Sequence, residues 1–370
     1  MYDNGQKDCI MAVKMIDIAR EVGVTRQAVS AVLNHPDTCR VSDEVQEKIR
    51  NVAEELGYVP NITARILKGS KSGSVGIITG SMQFGVTSSL FREIVKSLKR
   101  RGLSAIISVC EAGGELKAFK ELKMRGVDGV IFLKSMGIGL DVIDLPFVMI
   151  DSAINGEYDV VVNRFSGGIM ATSHLAEHGR KRIAMLAISE KFYQNKSNRV
   201  GGYQKFCREA GLPHDESMLI HGSMFNNDFD ELVRLLGRLK IDALFCQNDY
   251  VAGKIIRELI TRGVKVPDDI AVIGFDGMSF SDFCAVPLST VIQPLYRQME
   301  VGINIFMERL KKNIIQPELA KVSIDPVLYT SASCGCPCRG DQQFYSQNTY
   351  PVLEANRQEN FGEQLEFYIK

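Results

Sequence analysis

The sequence predicts an α/β protein: a small helical headpiece at the N-terminus, followed by a two-lobed body of doubly wound parallel sheets. Three observations predict it. The stretch VTRQAVSAVLN, residues 24–34, has a helical apolar face made by Val24, Ala28, Val29, Val32 and Leu33. Its outer face carries Thr25, Arg26, Gln27, Ser30 and Asn34, hydrogen-bonding groups where an ordinary surface helix would carry Glu and Lys. From Ser74 on, a unit of amphipathic helix, glycine and short apolar strand recurs, and several of the strands turn polar at their carboxyl ends.

The bounds agree with this division. At 370 residues the chain is long enough for two or three domains. Lys+Arg and Asp+Glu are 44 each, so net charge gives no bulk attraction for a polyanion and any nucleic-acid site must be local. The start, MYDNGQKDCIMAVKMIDIAR, lacks the apolar core of a secretory signal, and no apolar run approaches a membrane span. Cys9, Cys39, Cys110, Cys207, Cys246 and Cys284 are scattered singly, mostly in apolar stretches, as buried thiols in a reducing compartment are. A cytoplasmic protein with no cofactor and no membrane contact is expected.

Residues 13–57 read as three short helices. In KMIDIAREVGV, Ile16 and Ala19 lie on one side of a helix ending at Gly23. A tight turn leads to the 25–33 helix, capped by Thr25, which makes a helix-turn-helix. Ser42 is placed to cap a third helix, with Asp43 and Glu44 in its first turn and Val45, Ile49, Val52, Ala53 and Leu56 along one face up to Gly57. In such a bundle the second helix is the one that enters a major groove. A three-helix docking module has the same apolar pattern.

Residues 58–72, YVPNITARILKGSKS, favour DNA. Pro60 blocks helix before it and Asn61 is placed to cap about two turns ending at Gly69, too few to hold a helix alone in water. Ile62, Ile66 and Leu67 are apolar there, while Arg65, Lys68 and Lys71 are basic with no acid among them. Such a segment suits one that folds against a partner chain and DNA.

Residues 73–333 hold the repeated unit, in KSLKRRGLSAIISV, ELKMRGVDGVIFL, LAEHGRKRIAMLAI and ITRGVKVPDDIAVIGF. Helix, glycine and strand in that order mark parallel sheets covered on both faces, and there are enough units for two sheets breaking near 160–165. Ligands of open α/β sheets bind at the strand carboxyl ends. There the chain places Asp151 in FVMID, Asn248 and Asp249 in ALFCQND, Asp276 in AVIGFD and Gln293 in TVIQ, with Arg199 opening a helix in NRVGGY. Carboxylates that accept and a guanidinium that donates suit a polyhydroxyl ligand. Asn248 and Asp249 equally suit helix capping.

The runs MIDIAREVGVTRQAVSAVLN and VSDEVQEKIRNVAEELGYVPNITARILKGS resemble the headpiece and hinge of the LacI/GalR family of bacterial transcription regulators, and the resemblance covers about 13–333. It implies a homodimeric regulator, a repressor, on near-palindromic double-stranded operator DNA. It also implies a periplasmic-binding-protein-like body holding a small sugar-like effector between its lobes. It implies DNA contacts from Thr25, Arg26, Gln27, Ser30, Asn34 and Ser42, and from Ala64, Arg65, Leu67 and Lys68 on the hinge, Leu67 matching a leucine wedged into the minor groove. Asp151, Arg199, Asn248, Asp276 and Gln293 fall on effector-contacting positions. Two departures stand out: Ala31 replaces a common Arg that contacts guanine, and NRFSGG at 163–168 replaces a common Asp-Asn start.

Other chemistry is thinly represented. HLAEH at 174–178 matches the H-x-x-E-H of inverted zinc peptidases, but His178 precedes Gly179 at a helix end and no further ligand is apparent. CGCPC at 334–338 lacks a clear fourth ligand and the usual C-x-x-C spacing, so thiols in a tight turn are expected and no metal site is assigned. A sugar receptor shares the two-lobed body but not the headpiece. Residues 334–370 form a Cys-containing tail, of which 339–370 shows no sustained heptad.

Overall fold

The computed structural model describes residues 13–34, 39–58, 71–80, 85–111, 113–133, 139–152, 157–187, 198–221 and 229–337. The chain divides into two compact units, residues 1–72 and 73–370.

The first unit holds α1 (Met15–Val22), α2 (Arg26–Asn34) and α3 (Asp43–Glu55). Helix α1 ends where Gly23 turns left-handed at φ +77 and both Gly23 N and Val24 N donate to the Ala19 carbonyl. Its inward face is Met15, Ile18, Ala19 and Val22, spaced i, i+3, i+4, i+7. The expectation for Ile16 fails: it is 47 % exposed, and Ile18 fills the core instead. Val29 and Val32 of α2 and Ile49 and Ala53 of α3 complete that core.

The second unit contains two six-stranded sheets. The first has the order β11-β5-β4-β3-β1-β2, from Val322–Ile324, Val160–Val162, Phe147–Ile150, Gly129–Leu133, Ser74–Thr79 and Ser104–Val109. The second has the order β12-β10-β9-β8-β6-β7, from Val327–Tyr329, Ser289–Ile292, Ala271–Asp276, Ala243–Cys246, Ile183–Ala187 and Leu219–His221. All pairings are parallel except β10 with β12. Both sheets thus repeat one doubly wound order. The helices are α4 (Gly85–Arg100), α5 (Glu115–Met124), α6 (Arg164–Glu177), α7 (Arg199–Glu209), α8 (Phe229–Arg238), α9 (Asp249–Thr261) and α10 (Leu295–Lys312).

Strands with two apolar faces explain the layering. In the first sheet Ile77, Ile131, Val148 and Ile150 pack under α4 and α10, while Ile78, Phe132, Phe147 and Met149 pack under α5. In the repeated unit, Gly102 and Gly179 follow their helices at φ +72 and +81, a backbone that lets the chain reverse into the next strand.

The chain crosses between sheets after β5, after β10 and after β11. The first crossing lies at the expected break, since β5 ends at Val162 and α6 packs on the second sheet. The return is not visible in the repeat: α10 and β11 go back to the first lobe. The second-lobe core also runs past 333, because Cys334 is fully buried in it. The tail expected from 334 therefore begins inside the packed body.

Candidate functional site

The headpiece exposes the start of α2. Thr25, Arg26 and Gln27 are exposed and Ser30 is half-buried. The Thr25 hydroxyl accepts from Ala28 N at 3.2 Å, so it caps the helix it precedes. Asn34 ends α2, its side chain lying outside the described atoms. Ser42 departs from expectation: it holds the N-cap position of α3, exposed, but its side chain makes no capping bond. Gln46 ties down that end instead, its Nε2 donating to the Val41 carbonyl at 2.8 Å. The expected hinge contacts Ala64, Arg65, Leu67 and Lys68 lie outside the described residues.

In the body, two helix starts meet. An added Cβ on Gly168 of α6 would overlap the Arg199 carbonyl, and one on Gly202 of α7 would overlap the Phe165 carbonyl. Backbone-to-backbone approach of this kind is open to glycine alone. It sets Arg164 and Arg199, the first residues of α6 and α7, beside each other.

Two aspartates face them, one from each sheet. Asp151 follows β4 at φ +53 and Asp276 ends β9 at φ +114, and β4 and β9 are the equivalent fourth strands of the two sheets. Left-handed backbone at non-glycine residues is uncommon and gathers at functional sites. Arg164 forms an ion pair with Asp151, to which Gln298 of α10 also donates at 3.3 Å. Arg199 Nη1 lies 3.8 Å from Asp276 Oδ1, and its guanidinium sits 3.8 Å over the centre of the Phe275 ring. Gln293 Nε2 donates to Asp276 Oδ1 at 2.6 Å. With both amide nitrogens turned to carboxylates, the buried Oε1 atoms of Gln293 and Gln298 are left without a hydrogen-bond partner among the described residues.

Electrostatics bind the set into one cluster. Burial alone would weaken the Arg164 guanidinium, but Asp151, with help from Asp276, holds it above its ordinary value. Burial pulls Arg199 down to about 10, against Asp276 and assisted by Arg164. Asp151, Arg199, Asp276 and Gln293 therefore lie together in this cluster, while the Asn248 side chain also caps a helix. Its Oδ1 accepts from Val251 N at 2.9 Å and caps α9. Asp249 turns inward, fully buried, accepting from Met278 N (2.7 Å), Thr290 Oγ1 (2.6 Å) and Ser281 Oγ (3.3 Å). Sequence reasoning missed Arg164 and Gln298. The signal for Arg164 was the unusual NRFSGG start itself, whose Asn163 caps α6.

Residues 14–61 match the family described as bacterial regulatory proteins, lacI family, and residues 172–331 match a periplasmic binding protein-like domain. The chain is 30% identical over 302 residues to the HTH-type transcriptional regulator DegA of Bacillus subtilis, covering 77% of this chain and 88% of that one. The chain belongs to the LacI family. This LacI-family regulator is also 30% identical to the repressor PurR of Haemophilus influenzae, over 84% of this chain and 96% of that one. The same identity relates it to the ribose operon repressor of Escherichia coli, over 86% and 99% of the two chains. The Lac repressor dimer bound to operator and an anti-inducer shares its fold at TM-score 0.72 and 22% identity, covering 87% of this chain and 99% of that one. As a LacI-family protein it is a DNA-binding transcription regulator whose body is an effector domain. Its relatives are regulators rather than enzymes, and among the described residues no helix is long and apolar enough to cross a membrane.

Proposed function

We propose that this chain is a homodimeric transcriptional repressor whose operator affinity is set by a neutral, polyhydroxylated, sugar-like effector held at Asp151, Arg164, Arg199, Asp276, Gln293 and Gln298. The observation that carries the reading is the pair of left-handed aspartates at equivalent strand ends, each set against an arginine that opens a helix. Two guanidiniums against two carboxylates leave the cluster balanced, which favours an uncharged ligand. Carboxylates accept from hydroxyls, guanidiniums donate to them, and the two orphaned glutamine oxygens offer further acceptors. Relatives named as the ribose operon repressor and as a CelR–cellobiose complex support a sugar, and the Lac repressor dimer on operator supports the dimer. On DNA, Arg26 and Gln27 read base edges in the major groove, while Thr25 and Ser42 hold phosphates.

A thermal-shift screen of sugars, sugar phosphates and purines identifies the effector, and calorimetry then tests the site. Arg199→Ala and Asp276→Ala should each weaken effector binding about tenfold or more, the cost of a lost charge-assisted hydrogen bond. For an inducer, operator binding without effector should be nearly unchanged in both variants; for a co-repressor, effector-dependent operator binding should be lost. Unaltered affinity in both variants would place the ligand elsewhere.

A further inference from the structure

The two short motifs that looked incomplete in the sequence meet in space. His174, in the last turn of α6, and His178, its C-cap, lie one turn apart with ring centres separated by 4.5 Å. Against them packs the 3-10 turn Ala332–Cys334, followed by Gly335 and Cys336. His174 Nε2 lies 3.3 Å from Cys334 Sγ and 3.6 Å from Cys336 Sγ, and His178 Nε2 lies 3.4 Å from Cys336 Sγ. The ligand atoms of His174, Cys334 and Cys336 are all within 4.8 Å of one another.

We propose that Cys334, Cys336, His174 and His178 form a zinc site that clasps the C-terminal end of the body to α6. The spacing is the first argument. Zinc bonds of about 2.3 Å to sulfur and about 2.0–2.1 Å to nitrogen, set tetrahedrally, put each nitrogen–sulfur pair about 3.5 Å apart. The three separations bracket that value; His178 reaches the group through Cys336, outside the three whose ligand atoms are mutually within 4.8 Å. Convergence is the second argument. One imidazole nitrogen faces two sulfurs, and one sulfur faces two imidazole nitrogens. A single thiol proton serves one such contact, whereas a cation serves all of them. The local fold is the third. Gly335 stands at φ +96, with its own N–H bonded to the Ala332 carbonyl, and this left-handed step turns the second cysteine of C-x-C back toward the helix that carries both histidines. Two sulfurs with two imidazoles are the donor set that selects zinc over the oxygen-seeking cations.

Without metal, Cys334 Sγ lies 3.2 Å from the Ser331 carbonyl; binding replaces that contact and displaces whatever protons the ligands carry. The clasp joins the two ends of one helix to different tasks. The far end of α6 is held by the ion, and its first residue, Arg164, belongs to the cleft cluster.

The experiment uses full-length, untagged protein purified with thiols kept reduced. Elemental analysis should find about one zinc per chain. Chelator-stripped protein should take up one zinc again, releasing protons, and cobalt in its place should show the visible bands of a tetrahedral cobalt thiolate. His174→Ala and Cys336→Ser should lower zinc affinity at least about a hundredfold. Cys39→Ser should keep the ion. Should the site variants fold poorly, stripping and reloading of the wild-type chain decides the matter by itself. A wild-type chain that neither carries nor rebinds zinc, or a Cys334–Cys336 disulfide in protein taken directly from cells, overturns the proposal. Loss of the ion in Cys338→Ser but not in His178→Ala overturns the fourth ligand.

Discussion

Asp249 shows how a carboxylate at a strand end differs from its neighbours in role. It accepts three hydrogen bonds, yet burial, with the nearby Asp276 carboxylate, pushes it up to about 8. An unfolded aspartate titrates at about 4, so between about pH 4 and 8 the folded protein holds a proton that the unfolded chain has shed. Stability should therefore fall as pH rises across that window, by up to ~1.4 kcal/mol per unit. Asp249→Asn should flatten this slope, as denaturant melts at several pH values will reveal. Arg309 and Asp159 make the opposite kind of buried group. The guanidinium donates to both carboxylate oxygens at 2.6 and 2.7 Å and to the Phe147 and Glu318 carbonyls, while Met149 N and Ala320 N donate to the same carboxylate. Arg309→Met strands the Asp159 charge and should cost about 3–5 kcal/mol in denaturant unfolding.

At the scale of elements, the crossing of α6 and α7 is the tightest constraint on the cleft. Gly202→Ala drives a methyl into the Phe165 carbonyl and has no flexible side chain to displace. Overpacking of this kind typically costs about 1–3 kcal/mol, and it should also part Arg164 from Arg199. A lower melting temperature with weakened effector binding is expected; a variant as stable as wild type would mean the helices separate freely. In the headpiece, Arg26→Ala and Gln27→Ala should each relax base preference by roughly 1–3 kcal/mol, measured by competition among selected sites. Much of this scale was legible beforehand. The apolar spacings of α2 and α3, the helix–glycine–strand units and the polar strand ends all express local periodicity, which a linear chain displays. Ile16 was misjudged because α1 is only two turns long, so a one-residue rotation decides which of Ile16 and Ile18 faces inward. Arg164 and Gln298 escaped notice because a residue opening a helix and one inside it look like ordinary surface charge and amide until a carboxylate from another strand meets them. The His174–Cys336 contact joins residues 162 apart, and no local pattern reports a pairing of that span.

For the whole molecule, the Arg164–Asp151 pair is an ionic tie between the lobes, since α6 packs on the second sheet and Asp151 closes β4 of the first. On the proposed function, an effector that competes for either partner changes the angle between lobes. Arg164→Met should accordingly alter the effector-free scattering profile of the body and shift effector affinity together with operator affinity. Selection from random DNA should return near-palindromic sites, as a two-fold dimer reads two half-sites; a purely asymmetric set would contradict the dimer. The return of α10 and β11 to the first lobe also has a bearing on how the protein is made. The first sheet is translated through β5, but α10, which brings Met299, Ile303, Phe306 and Leu310 to cover it, follows only about 130 residues later. At bacterial elongation rates that interval is on the order of ten seconds. Throughout it, the nascent chain carries a sheet whose apolar side is covered by α4 alone, while the headpiece, built from neighbouring helices, can already be complete. Arrested chains ending just before Leu295 should thus yield a protease-resistant headpiece beside a first lobe that is still digested and still bound by chaperones.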